Sequence, residues 1–171
     1  MWMPSLSKVG IPSIAVFRRT EPRNEVDQSF SCPDSGRLLS GLSILHLGFS
    51  RHDGVVLTET IRRLGARQLA YAEQVSPVCV ERPEGLRYDG IIVNLDRFGD
   101  IDLGVERLMR FRRARPSCFV IIATADVAMD DFGHHRRAIC DSTLRLPLTA
   151  SRLEQALEST LANLRSKPVA I

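Results

Sequence analysis

Three aspartates each follow a short apolar run: Asp53 after residues 42–47 (LSILHL), Asp96 after 90–95 (GIIVNL) and Asp126 after 118–123 (CFVIIA). If those runs are parallel strands of one sheet, the carboxylates lie in loops at one end of it, where together they could hold a hard divalent cation through oxygen. The plainer roles are helix capping for Asp53 and Asp126 and loop solvation for Asp96. Other chemistry is sparse. Cys32, Cys79, Cys118 and Cys140 are far apart, with no Cys-x-x-Cys and no zinc-like interval to His46, His52, His134 or His135. Neither a disulfide framework nor a zinc site is expected, and Cys118 and Cys140 read as small buried hydrophobes. His134 and His135 are neighbours, about 100° apart on a helix, and cannot chelate as an i, i+4 pair would. His46, inside an apolar run, reads as a satisfied core or edge histidine.

Several common activities are excluded by what the chain lacks. It has no G-x-G-x-x-G after the first apolar run, no G-x-x-x-x-G-K-[ST] and no G-x-S-x-G, which removes the usual dinucleotide, nucleotide and nucleophile-elbow sites. Of 23 basic residues only Lys8 and Lys167 are lysines, so residues 9–166 contain none. Any reaction that needs an interior lysine is ruled out.

With 171 residues, 44% hydrophobic and 25% charged, the chain suits one soluble domain plus about 40 extra residues. The net charge of +3 is not concentrated in any segment, so nucleic acid is not the expected partner. No apolar run approaches the roughly 18 residues of a membrane span, and the first 16 residues lack the form of a secretion signal. A cytoplasmic protein is expected, with no membrane contact.

The elements that must position the aspartates begin at residue 42. Residues 1–41 hold four of nine prolines and seven serines without sustained periodicity, and read as a flexible or loosely docked arm. Within it residues 11–19 (IPSIAVFRR) could form a short strand on a sheet edge. From 42 onward, apolar runs alternate with helical patterns: strands over 42–47, 68–72, 90–95, 118–123 and 142–146, with helices over 55–64, 103–113, 130–139 and 151–164. Gly65 supplies a helix stop. Pro77 and Pro83 leave only a short or distorted helix in 75–86. The expected domain is 42–165, with 166–171 as a tail. Strands alternating with helices predict a doubly wound α/β sheet whose chemistry lies at the carboxyl ends of the strands.

At those ends the sequence resembles the receiver domain of bacterial two-component response regulators, over about residues 42–164. The resemblance is carried by LGARQLAYAE (64–73), LRYDGIIVNLD (86–96), FVIIATAD (119–126) and STLRLPLT (142–149). It implies a flavodoxin-like (βα)5 fold with five parallel strands in the order 2-1-3-4-5. It also implies an acidic pair after the first strand that holds Mg²⁺, an aspartate ending the third that accepts phosphate, a Thr or Ser after the fourth and a lysine after the fifth. Those positions match Gly48 and Phe49, Asn94, Thr124 and Leu146. Only Thr124 keeps its type, and the aromatic often found in the fifth strand falls on Thr143.

An asparagine amide cannot become an acyl phosphate, and no metal-binding pair or lysine remains to balance the charge. The chain therefore reads as a non-phosphorylatable receiver-like module, with no catalytic residue and no cofactor, that acts by contact with another regulatory protein. With seven residues after 164 and no helix-turn-helix pattern before 42, a separate output domain is not expected. By family analogy residues 130–164 (Asp130 to Leu164) would form a homodimer face. Two other readings stand beside this one: a ligand or metal site at Asp53, Asp96 and Asp126, and a docking surface for an acidic partner or nucleic acid at Arg107, Arg110, Arg112, Arg113 and Arg115. The bland reading of that arginine run is a solvated helix end favoured by the macrodipole.

Overall fold

The computed structural model describes residues 15–18, 38–75, 88–133 and 138–165. In chain order the elements are β1 (Ala15–Arg18), β2 (Ser43–Leu47), α1 (Arg51–Arg63), β3 (Gln68–Ala72), β4 (Gly90–Asn94), a 3-10 turn (Leu95–Arg97), α2 (Ile101–Ala114), β5 (Phe119–Thr124), β6 (Ser142–Arg145) and α3 (Ala150–Arg165). The sheet order is β1-β3-β2-β4-β5-β6. Its five strands from β2 onward pair in parallel, in the expected 2-1-3-4-5 order. The sixth lies outside that count: Ala15–Arg18 runs antiparallel along β3, with Ala15 opposite Tyr71 and Arg18 opposite Gln68. That part of the arm is docked on the sheet edge.

Every residue of β4 and β5 is buried, which is why both read as continuous apolar runs: a parallel strand covered on two faces has no polar side to show. Ile44, Ile92, Ile121 and Leu144 pack with Leu57 and Ile61 of α1 and Leu153, Ala156, Leu157 and Leu161 of α3. Leu45, Leu47, Ile91, Val93, Val120 and Ile122 pack on the other face with Leu108 and Phe111 of α2. Leu39, upstream of the expected domain start at 42, is fully buried in the first cluster and donates its backbone N–H to the Leu64 carbonyl at 3.0 Å. The globular unit therefore starts before residue 42.

Helix boundaries show local chemistry at work. α1 begins four residues earlier than the 55–64 periodicity suggests, because Ser50 caps it: its Oγ accepts the Asp53 N–H at 3.2 Å, and its hydroxyl donates to the Asp53 carboxylate at 2.7 Å. Gly65, at φ +86°, follows the helix as expected. α2 is capped by Asp100, whose Oδ1 accepts the Leu103 N–H at 3.1 Å. Leu103 itself is 40% exposed.

The helix expected over 130–139 does not form in its described residues. Asp131 instead makes an antiparallel bridge to Thr143 on the outer edge of β6, and its Oδ1 accepts the Gly133 N–H at 2.7 Å, a local turn that competes with helix. His134 and His135, and the segment 76–86 with its two prolines, lie outside the described residues.

The arginine run divides sharply. Arg112 is 8% exposed and clamps the amino-terminal end of the sheet: Nη1 donates to Asp141 Oδ2 at 2.8 Å and to the Cys118 carbonyl at 2.7 Å, while Nη2 donates to Asp141 Oδ1 at 2.7 Å. Asp141 Oδ2 also accepts the Val120 N–H at 2.9 Å. Arg112 is thus withdrawn from any docking surface, a correction that the sequence could not supply because its partner is 29 residues away. Arg110 pairs with Glu106 one turn back, both largely exposed.

Removing one partner of a buried ion pair strands the other charge, at a cost of about 3–5 kcal/mol. Arg112→Ala is expected to lower the urea-unfolding stability by that amount, whereas Arg110→Ala and Arg113→Ala change it by about 0.5 kcal/mol or less. Equal effects from all three would refute the distinction.

Candidate functional site

The carboxyl end of β4 is closed by side-chain bonds to its own loop and to β5. Asn94, buried, ends the strand and accepts the Asp96 N–H on Oδ1 at 3.1 Å. Asp96 then reaches across to β5: the Thr124 hydroxyl donates to its Oδ1 at 2.5 Å and the Ala125 N–H donates to its Oδ2 at 2.8 Å. Thr124 Oγ1 in turn accepts the Asp126 N–H at 3.1 Å. A single carboxylate therefore takes up the hydroxyl and the amide that an anion arriving at this loop would bind. Simple loop solvation, the plain sequence reading of Asp96, is replaced by this tie.

Asp53 serves elsewhere. It sits in the first turn of α1, not in a loop, and its Oδ1 accepts the Leu148 N–H at 3.1 Å, joining α1 to the segment after β6. Asp96 and Asp126 flank Thr124, but Asp53 is not brought to them. Among the described residues no three His, Cys, Asp or Glu side chains form a group that could hold a metal ion.

The other matched positions are filled in ways that do not fit a magnesium site. A Cβ built on Gly48, at φ +77°, would lie 2.5 Å from Val75 Cγ2 and 3.1 Å from Arg97 Cβ, so a carboxylate has neither the backbone conformation nor the space there. Phe49 is buried in the apolar cluster of the α1 and α3 face, and Leu146 packs against the same cluster. Two positions that carry charge in a working receiver are here joined to the core.

Beyond β6 a second polar corner escaped sequence reading. Asp130 pairs with Arg152, whose Nε donates to Asp130 Oδ2 at 2.6 Å, while Arg152 Nη1 and Nη2 donate to the carbonyls of Pro147 and Arg145 at 2.9 and 2.7 Å. The Arg145 N–H also donates to Asp130 Oδ1 at 2.7 Å. These bonds to Arg152 hold the Asp130 carboxyl below its ordinary range. The corner lies within the stretch expected as a dimer face, and its signal in the sequence was a separation of 22 residues with no periodic pattern. Of the arginine run, Arg107 and Arg115 also have partners of their own, and Arg113 is exposed.

His46, in β2, is buried beside α1. Its ring stacks on Tyr71 with centroids 5.6 Å apart, meets Phe49 edge-on at 5.9 Å, and places Nε2 3.3 Å from Thr58 Oγ1. Burial lowers its pKa to about 4. Cys118 is buried, which pushes its thiol up to about 12 and leaves it inert as a nucleophile near neutrality.

No family model matches the chain, and no curated protein does. Solved structures do resemble it. The signal receiver domain of an HD domain-containing protein from Pseudomonas fluorescens Pf-5 aligns with a TM-score of 0.55 and 18% identity, covering 74% of this chain and 98% of that one. A response regulator receiver domain protein from Methanospirillum hungatei JF-1 gives 0.53 and 16%, covering 75% and 100%. The chain has the receiver-domain fold. A pilus assembly-related protein from Burkholderia pseudomallei K96243 shares it too, at 0.54 and 17%, covering 79% and 96%. On this receiver scaffold the Asp96 tie joins the loops that follow β4 and β5, and the Asp130–Arg152 corner joins the segment after β5 to the end of β6 and α3. Among the described residues no helix is long and apolar enough to cross a membrane.

The pH dependence of stability follows from His46. The folded state keeps it neutral down to about pH 4, while the unfolded chain takes up a proton near its ordinary value of 6.5. Between those values the unfolded state binds more protons, so stability rises with pH across the window and falls on acidification by on the order of 3 kcal/mol. A urea-midpoint series from about pH 7 to about pH 4 should show this slope in the natural chain. It should be flatter in His46→Gln by that amount; parallel curves would assign the acid sensitivity to other groups.

Proposed function

We propose that this chain is a receiver-like regulatory module that works by contact with another regulatory protein, in the cytoplasm, without a phosphorylation cycle of its own. The observation that carries the reading is the Asp96 tie. Its carboxylate already satisfies the Thr124 hydroxyl and the Ala125 amide, donors that a phosphoryl group on a strand-four aspartate would otherwise engage. The group at that strand end is the amide of Asn94, whose oxygen is itself bonded to the Asp96 N–H.

Supporting this, neither Gly48 nor Phe49 offers a side-chain oxygen to a metal, and Leu146 offers no cation to a phosphate. Phosphoryl transfer is almost entirely positioning and charge neutralisation, so losing those groups removes the reaction while leaving the scaffold intact. The loops after β4 and β5 are then held in one arrangement by an internal anion. A partner would read that fixed surface, in a two-component or related pathway.

Incubation with acetyl phosphate and Mg²⁺ should leave the intact mass unchanged, both for the natural chain and for Asn94→Asp, since that variant restores neither metal ligands nor lysine. A stable adduct of about 80 Da, the mass of one phosphoryl group, in the natural chain would overturn the proposal. Asp96→Ala should speed amide hydrogen exchange at Ala125 and Asp126 and weaken partner binding, while circular dichroism stays native. Unchanged exchange would remove the tie from its central place.

A further inference from the structure

The receiver reading leaves one feature unused: a cleft between α1 and β3. Among the described residues it encloses about 590 Å³, within the range of small-molecule sites. It opens beside the first turn of α1 and the carboxyl ends of β2 and β3, the end of an open parallel sheet where ligands generally bind. Its wall carries the stacked His46 and Tyr71 rings with Phe49 edge-on, and the Thr58 hydroxyl 3.3 Å from His46 Nε2.

From these contacts we propose that the cleft binds a small, neutral, planar heteroaromatic molecule that stacks against the Tyr71 side and hydrogen-bonds to the Thr58 hydroxyl. The aromatic wall favours a flat ring by offset or edge-on packing. The Thr58 hydroxyl, half-buried in the lining, can donate or accept, which suits a ring bearing a nitrogen or a carbonyl. Burial keeps the imidazole neutral near pH 7, so the wall presents no net charge. The rim is balanced as well: Arg51 and Arg62 are offset by Glu59 and Glu73. A carboxylate or ammonium entering there would exchange water for a repulsive neighbour as often as an attractive one. Val55, half exposed on the rim, completes the apolar contact. This inference stands independently of the signalling reading, since it uses neither Asp96 nor Asn94.

The test is nuclear magnetic resonance titration of the full chain with indole and quinoline as neutral probes, and with indole-3-acetate and tryptamine as charged analogues. The neutral probes should give saturable shifts centred on His46, Phe49 and Tyr71, and the charged analogues should bind about fivefold more weakly. Tyr71→Ala should weaken indole binding about fivefold through loss of the stacking partner. Val55→Trp, at an exposed position that leaves the core untouched, should block the cleft and abolish the shifts. That variant keeps the inference testable if Tyr71→Ala fails to fold. No saturation by about 5 mM probe, shifts centred elsewhere, charged analogues binding as well as neutral ones, or unaltered binding by Val55→Trp would each overturn it.

Discussion

Burial of β4 and β5 on both faces is the constraint from which the rest of the structure follows. Side chains along these strands are committed to one of two apolar layers, so polar chemistry can appear only where the strands end. At the amino-terminal end, Arg112 and Asp141 close the sheet with a buried, bidentate pair that also takes up the Cys118 carbonyl and the Val120 amide. At the carboxyl end, Asp96 does the equivalent work between the loops after β4 and β5. Both devices satisfy a backbone amide with a carboxylate, and the first adds a guanidinium on a backbone carbonyl. The difference is exposure: the first is sealed, whereas Asp96 and Ala125 face solvent, which leaves the second open to rearrangement or to a partner.

The lysine-free interior gains meaning in that setting. In a receiver scaffold a cation after the last strand would stand near the carboxylates. Here Leu146 packs on the core, and the cations of that corner, Arg145 and Arg152, are directed to the carbonyls of Ala128, Pro147 and Arg145 and to Asp130. A guanidinium with several fixed donors suits the bracing of a turn through its carbonyls, where an ammonium on a flexible stem would hold fewer of them in place. The arginine bias is thus consistent with a corner used for bracing.

The fold was legible in the sequence because its signals are local. Continuous apolar runs marked β4 and β5, and a 3.6-residue period marked α3. The capping position of α1 was missed because Ser50 lies outside the periodic segment, although its pairing with Asp53 has the spacing of a capping motif. The region from 130 to 139 misled, since helical composition there is overruled by the Asp131 bridge to Thr143 and the Asp131 turn. At the site, the neutral side chains of Phe49, Asn94 and Leu146 and the absence of one at Gly48 could be read directly from residue types. The Asp96 tie, the Asp130–Arg152 pair and the Arg112–Asp141 clamp could not, because each joins residues 22 to 29 positions apart and no period encodes such a distance.

A receiver-type charged site and the arrangement in this chain differ at several positions at once. A working acidic cluster carries mutual repulsion that only a metal and a lysine relieve. Removing the lysine alone would leave those carboxylates unbalanced; removing the aspartate alone would leave a cation with nothing to hold. In this chain the residues at those positions are mutually compatible: Phe49 and Leu146 join one apolar cluster, the space beside Gly48 is filled by Val75 and Arg97, and Asn94 is neutral. The Asp96 carboxylate is turned onto a hydroxyl and an amide. Each of these residues thus has a packing or hydrogen-bonding role within the fold.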